Sequence, residues 1–126
     1  MNTRPLFAAA CGDSVLDAKS AHDSGKGTIV AYDAPYDQVW AAAHAAVRWN
    51  GAGTPADHSD QHYFITDPAH FDQIGVFIEP EGDKSRVTVV VIDDQSLPGP
   101  NEKSVQKDIA TALELAKAGK PTDKRP

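Results

Sequence analysis

The chain has 126 residues, of which 40% are hydrophobic and 24% are charged, and this is the composition of one globular domain. Its formal net charge of −6 argues against general nucleic-acid binding and against loose adhesion to anionic membranes. The single cysteine excludes an internal disulfide and a multi-thiolate metal site.

The first eleven residues place a short apolar stretch and small side chains before a cysteine. Arg4 precedes the apolar residues 5–10, and three alanines lead directly to Cys11. This order resembles the end of a bacterial lipoprotein signal, although secretory signals usually have a longer apolar core of roughly 7–15 residues. We therefore predict a truncated lipoprotein signal over residues 1–11, with Cys11 as the lipid anchor. The alternative is a flexible tail that carries a free thiol.

Two polar segments flank the predicted folded unit. Residues 12–26 are small and polar with little apolar periodicity, which is typical of a tether. Residues 120–126 carry several basic side chains after Gly119 and are predicted to form a basic, disordered tail. The folded domain is accordingly predicted to span residues 27–119.

The first two elements of this domain are a strand and a helix. Thr28–Tyr32 is a short run of residues that favour strands. Pro35 and Asp37 then occur where a helix begins, and Gly51 is placed to end it. Between them, the apolar residues that follow the helical period are Val39, Trp40, Ala43, Ala46 and Val47.

The middle of the chain predicts a loop, a short strand and a hairpin. Residues 51–61 are rich in Gly, Pro, Asp and Ser and are predicted as loop, and residues 62–66 as a short strand. Residues 74–79 and 86–92 are apolar strands on either side of a charged turn over 80–84. A second helix follows, with Asn101 as its cap and Gly119 as its stop.

These elements predict an α+β fold. We expect a small antiparallel sheet of three to four strands with two helices packed on one face, because that arrangement buries the apolar stripe of each helix. The first strand is a candidate for an exposed sheet edge, which would permit pairing with another chain. The oligomeric state is left open.

The segment between the first strand and the first helix carries a resemblance. Residues 32–42 read YDAPYDQVWAA, in which a strand enters an Ala-Pro turn and a helix begins with an acidic residue, Val-Trp and alanines. This is similar to the opening of small, largely uncharacterised bacterial cell-envelope lipoproteins with a β-α-β-β-β-α domain. The resemblance implies an envelope location and a compact α+β domain, and it supplies no catalytic residues.

The same Ala-Pro-x-x-x-Val-Trp opening more weakly resembles helix-grip domains of the START type. Such domains use six or seven strands to surround a cavity for an apolar ligand. The resemblance implies a cavity between the sheet and the C-terminal helix. Its lining residues would be Val76, Ile78, Val89, Val105 and Ile109.

A histidine- and aspartate-rich stretch is the second candidate site. Residues 57–72 contain His58, Asp60, His62 and His70, and imidazole and carboxylate groups together suit divalent metals such as zinc. The simpler interpretation is a solvated acidic surface with scattered histidines.

The sequence therefore predicts a non-enzymatic binding or structural module of the cell envelope. It contains no P-loop, no His-Glu-x-x-His and no Gly-x-Ser-x-Gly motif, and no cofactor is expected. We expect contact with a membrane only through a lipid on Cys11, an envelope protein as partner, and no nucleic acid. The expected location is the periplasm or outer envelope, or the cytoplasm if the apparent signal is a coincidence. The alternatives are a small helix-grip carrier and a metal-binding protein.

Overall fold

The computed structural model describes residues 18–51, 54–66, 73–92 and 101–126. These residues form an α+β fold with three α-helices and one antiparallel sheet of five strands. In chain order the elements are α1 (Ala18–Asp23), β1 (Thr28–Tyr32), α2 (Tyr36–Trp49), β2 (Pro55–His58), a 3₁₀ turn (Ser59–Gln61), β3 (Tyr63–Thr66), β4 (Gln73–Glu81), β5 (Lys84–Ile92) and α3 (Glu102–Lys117).

The strands lie side by side in the order β1-β5-β4-β3-β2, so that β1 and β2 form the two edges. β4 and β5 are joined by a turn of two residues, because Glu81 pairs directly with Lys84. Gly82 takes the first turn position with φ +70°, and a two-residue turn of the II′ type requires such a positive φ there. This hairpin supplies the two longest strands and forms the centre of the sheet.

One face of the sheet, called the helical face, is covered by α2 and α3. The two helices pack against each other, and their apolar stripes enclose buried side chains of β3, β4 and β5. The largest fully buried members of this core include Phe64, Ile78 and Ile109. α3 begins with a reciprocal cap in which the Ser104 amide donates to Asn101 and the Asn101 amide donates to Ser104.

A buried glutamine fastens α3 to the sheet. Gln106 Nε2 donates to the carbonyl of Thr28 at 2.8 Å and to that of Val87 at 3.1 Å, while Gln106 Oε1 accepts from the Tyr32 hydroxyl at 2.6 Å. Burial raises the pKa of Tyr32 above its usual value, so the hydroxyl keeps its proton and donates. β1 is thereby held in a fixed position against both β5 and α3.

The opposite face of the sheet, called the α1 face, is covered in part by the six-residue helix α1. Ala18 and Ala21 of α1 are fully buried against side chains of β3, β4 and β5. Gly75 makes this contact possible, since a Cβ atom at that position would lie 2.6 Å from the Cβ of Ala18. The Ala18 amide also donates to Gln73 Oε1 at 3.2 Å.

The fold differs from the sequence prediction in the number of strands and in residues 18–23. The sheet has five strands rather than three to four, because Pro55–His58 forms β2 inside the predicted loop. Residues 18–23 form α1 on the sheet, which corrects the predicted tether in this part; residues 12–17 lie outside the described residues. The coarser prediction of an α+β fold with an antiparallel sheet is confirmed.

The C-terminal residues also differ from the predicted disordered tail. The carbonyl of Thr122 accepts from the Trp49 indole at 3.0 Å, and Arg125 forms an ion pair of 2.8 Å with Asp108. These contacts hold residues 122–125 beside the C-terminal end of α2 and the middle of α3. The folded unit therefore extends beyond residue 119.

Candidate functional site

The α1 face carries a row of cross-strand neighbours that runs the full width of the sheet. The row consists of Ile29, Thr88, Phe77, Tyr63 and His58, one from each strand. Directly paired residues of antiparallel strands share a face, so all five side chains project to the same side. The row is exposed at Ile29 and aromatic from Phe77 onward.

The aromatic part of this row forms a continuous stack that α1 completes. The ring centroids of His58 and Tyr63 are 4.6 Å apart, those of Tyr63 and Phe77 are 5.1 Å apart, and those of Phe77 and His22 are 3.8 Å apart. Lys19 also lies over the Tyr63 ring, 5.7 Å from its centroid. Such ring contacts contribute about 0.5–1.5 kcal/mol each beyond the area they bury.

A cleft of about 180 Å³ opens where this stack meets the end of α1. His22 and Phe77 line one side, and Thr88 lies beside Phe77 in the row. The remaining lining residues are Gln61, His62, Ile78 and Glu79. The cleft thus combines an aromatic surface with imidazole, amide, hydroxyl and carboxylate groups.

An ion pair lies at the cleft rim. Arg86 donates to Glu79 across the β4–β5 pair, with a distance of 3.1 Å from Nε, and it also approaches Glu81. The hydrogen bond from Arg86, followed by the positive charge itself, holds the pKa of Glu79 below its usual range. Glu79 therefore carries its negative charge at neutral pH beside a group that already neutralises it in part.

His62, another residue that lines the cleft, has an unusual backbone conformation. His62 follows the 3₁₀ turn with φ +64°, a left-handed conformation that side-chain-bearing residues adopt infrequently. Its carbonyl accepts from the Ile78 amide at 2.8 Å, and its ring contacts the Tyr36 ring at a centroid distance of 5.0 Å. These contacts hold His62 in place although its backbone is strained.

The residues of the predicted metal site are distributed differently. His58 stacks on Tyr63 and His62 contacts Tyr36, so the two rings have separate aromatic partners. In the part of the chain that the structure describes, no three His, Cys, Asp or Glu side chains are placed to hold a metal ion. Asp60 lies in the 3₁₀ turn, and His70 lies outside the described residues. Metal binding by this stretch stays a prediction.

The residues of the predicted apolar cavity belong to the core under α2 and α3. Val76, Val89, Val105 and Ile109 are all fully buried there. Ile78 is also buried in this core and in addition lines the cleft described above. An apolar ligand between sheet and helix stays a prediction, and Cys11, the predicted lipid anchor, lies outside the described residues.

A histidine–carboxylate pair joins α2 to the edge strand β2. His44 Nε2 lies 2.8 Å from Asp57 Oδ1, and His44 Nδ1 lies 2.9 Å from the carbonyl of Trp40. Both partners are acceptors, so both contacts are complete hydrogen bonds only when the imidazole carries two protons. Because both ring nitrogens are engaged, His44 has a structural role in fixing β2.

Three residues that line the cleft, His22, Phe77 and Thr88, were not predicted as site residues from the sequence. Their proximity depends on the strand register and on the position of α1, which no local pattern encodes. One part of this surface could have been predicted from the sequence. Tyr63 and Ile65 are two residues apart in a strand, so their side chains lie on the same face of the sheet.

Comparison with known proteins adds little to this description. No family model and no curated protein matches the chain. One similar solved structure is the crystal structure of DynU16, a protein from the dynemicin biosynthetic locus, with 20% sequence identity and a TM-score of 0.37. The match covers 78% of this chain and 49% of that one, so the chain spans about half the length of DynU16. None of the helices in the described ranges has the length and apolarity needed to cross a membrane.

Proposed function

We propose that this domain is a non-enzymatic binding module of the bacterial cell envelope, tethered through a lipid on Cys11. It takes a ring-sized group of an envelope partner into the cleft beside α1. The observation that carries the proposal is the cleft of about 180 Å³ on the α1 face, where aromatic rings and several polar groups meet. The recess of about 270 Å³ between α2 and α3 is instead lined largely by alanines.

The size of the cleft limits what it accepts. A cavity of about 150 Å³ holds one benzene molecule, so the cleft suits one ring or one branched side chain rather than a whole drug-sized ligand. Phe77 supplies apolar contact, and Thr88 and Gln61 supply hydrogen-bonding groups. A phenol or indole side chain of a partner protein has this combination of a flat apolar body and one polar atom.

The position of α1 relates the cleft to the proposed tether. His22 forms one wall of the cleft from the last turn of α1. Cys11 precedes α1 by seven residues in the sequence, which is a fully extended reach of at most about 25 Å. A lipid on Cys11 would therefore keep the cleft within a short distance of the membrane surface.

The cleft is tested with indole as the probe, by recording amide chemical shifts during a titration. We expect the largest shifts at His22, Phe77 and Thr88 and the loss of these shifts in Thr88→Phe, whose larger ring fills the cleft. Ala31→Phe is the matched control, because Ala31 is exposed on the same face but does not line the cleft. Shifts scattered over the surface, or shifts that persist in Thr88→Phe, would refute the proposed cleft.

The tether is tested separately by mass spectrometry of the protein from fractionated native cells. The expected species begins at Cys11 and carries acyl chains. An intact Met1 in the soluble fraction would refute the tether, and the cleft would then have to be assigned a partner in another compartment.

A further inference from the structure

The two edges of the sheet are built very differently. β2, at one edge, has four residues, begins with Pro55 and holds Asp57 in a hydrogen bond with His44. Proline, charge and short length are the features by which natural proteins keep an edge strand from pairing with another chain. The β2 edge is therefore protected.

β1, at the other edge, lacks the proline and the charge and is one residue longer. Its five residues include no proline and no charged side chain, and all five pair with β5 on the inner side. Among the described residues, Ile29 of β1 is the large hydrophobic side chain that is exposed, at 61%. Gln106 and Tyr32 hold this strand rigidly, so pairing would require little ordering of the backbone.

The charges at the two ends of β1 are complementary to each other. Lys26 precedes the strand and Asp33 follows it, and both are exposed. The seven residue steps from Lys26 to Asp33 span roughly 23 Å of extended chain, so the two charges do not pair within one copy. In an antiparallel pairing with a second copy centred on Val30, Asp33 of each copy lies opposite Gly27 of the other, beside Lys26 in the chain.

We propose that two copies of this chain pair through β1, in antiparallel orientation about a two-fold axis, to form a continuous ten-stranded sheet. Centred on Val30, this pairing sets the exposed Ile29 of each copy opposite the small, exposed Ala31 of the other. Assembly stops at two copies, because the β2 edge that would continue it is protected and the contact is the same patch on both partners.

The test is sedimentation equilibrium of the full chain over a range of concentrations. The contact is small, so we expect a weak, concentration-dependent dimer and no larger species. Ile29→Lys places a charge on the edge and should raise the dissociation constant at least tenfold, a change of about 1.4 kcal/mol. Ala56→Lys on β2 is the matched control and should leave the dimer unchanged.

A charge exchange supplies a second test that does not depend on Ile29. Lys26→Glu alone and Asp33→Lys alone should each weaken the dimer, and the double variant should restore it, since opposite charges then meet again. A chain that is monomeric at every concentration would overturn the proposal, as would an Ile29→Lys variant that dimerises normally. If the dimer proposal is refuted, the proposed function of the cleft is not affected, because Lys26 and Asp33 do not line the cleft.

Discussion

The two faces of the sheet are covered by different means. On the helical face, two helices of 14 and 16 residues bury large aliphatic side chains and Phe64 in one core. On the α1 face, a six-residue helix contributes two alanines and one histidine, which pack against a smaller cluster that includes two stacked aromatic rings of the sheet. The first face contains the greater share of the buried apolar area and therefore of the stability. The second face retains a cleft because its covering helix is too short to fill it.

The largest loss of stability is expected from a substitution that leaves a cavity in the core of the helical face. Ile109→Ala removes a fully buried side chain of α3 and should lower the free energy of unfolding by about 2–5 kcal/mol, through lost burial and the remaining cavity. Urea denaturation measures this change. Ile29→Ala on the α1 face is the contrasting control, with an expected change within about 0.5 kcal/mol because Ile29 is exposed. Equal losses in the two variants would contradict the conclusion that the helical face contributes the greater share of the stability.

A smaller and local effect is expected from Gly75→Ala. The added Cβ would lie 2.6 Å from Ala18 and 3.0 Å from the Phe77 ring, so α1 must move away. We expect a loss of about 1–3 kcal/mol, as for other overpacked sites, with faster amide hydrogen exchange in α1 and unchanged exchange in α3. Ala18→Gly combined with Gly75→Ala exchanges the two side chains and should restore α1. Unchanged exchange in α1 of the single variant would show that the contact does not hold the helix.

Loss of the hydroxyl group should affect the free energy of unfolding differently at two tyrosines of the helical face, by about 1 kcal/mol. Tyr32→Phe removes the hydroxyl bound to Gln106 and should destabilise the fold by about that amount. The Tyr36 hydroxyl is buried and has no hydrogen-bond partner within the described residues; burial, with Asp37 and Asp57, raises its pKa. Tyr36→Phe should therefore leave stability unchanged or slightly raised. Thermal denaturation of both variants tests this difference, and a larger loss for Tyr36→Phe would contradict it.

The smallest expected effect is a weakening of α1 in acid. A hydrogen bond from Lys19 lowers the pKa of Asp23 below its ordinary value of 3.8. The pair stabilises the folded state above the unfolded pKa, and this contribution is lost as the pH falls through the lower, folded pKa. Because the carboxylate is more than half exposed, the loss should stay below about 0.5 kcal/mol. Amide shifts of α1 against pH measure it, and Asp23→Asn should remove the transition.

The helical face was largely predictable from the sequence, because its elements carry strong periodic signals. The stripe of Val39, Val47 and similar residues indicated α2, and Asn101 marked the beginning of α3 within one residue. The central hairpin was equally clear, although its turn has two residues rather than five. A long run of apolar residues at the helical or strand period specifies the type of element strongly. Such elements can therefore be predicted without knowledge of the tertiary structure.

The α1 face was not predictable in the same way. α1 has only Ala18 and Ala21 as apolar contacts, so its sequence has the composition of a tether. β2 begins with proline and contains aspartate and histidine, which normally indicate a loop. The stack from His58 to His22 depends on the register of three strands and on the close packing of α1 against Gly75. These features arise from tertiary packing and leave no pattern in the local sequence. The cleft that they form could therefore not be predicted.

The pairing of β1 with β5 also determines when the fold can form. The two strands are separated by residues 33–83, so β1 leaves the ribosome long before its partner strand exists. Gln106, which fastens β1 from α3, is synthesised later still. The nascent chain therefore holds an uncharged strand without its partner until β5 has been synthesised, and pairing of β1 with β5 is a long-range step in folding.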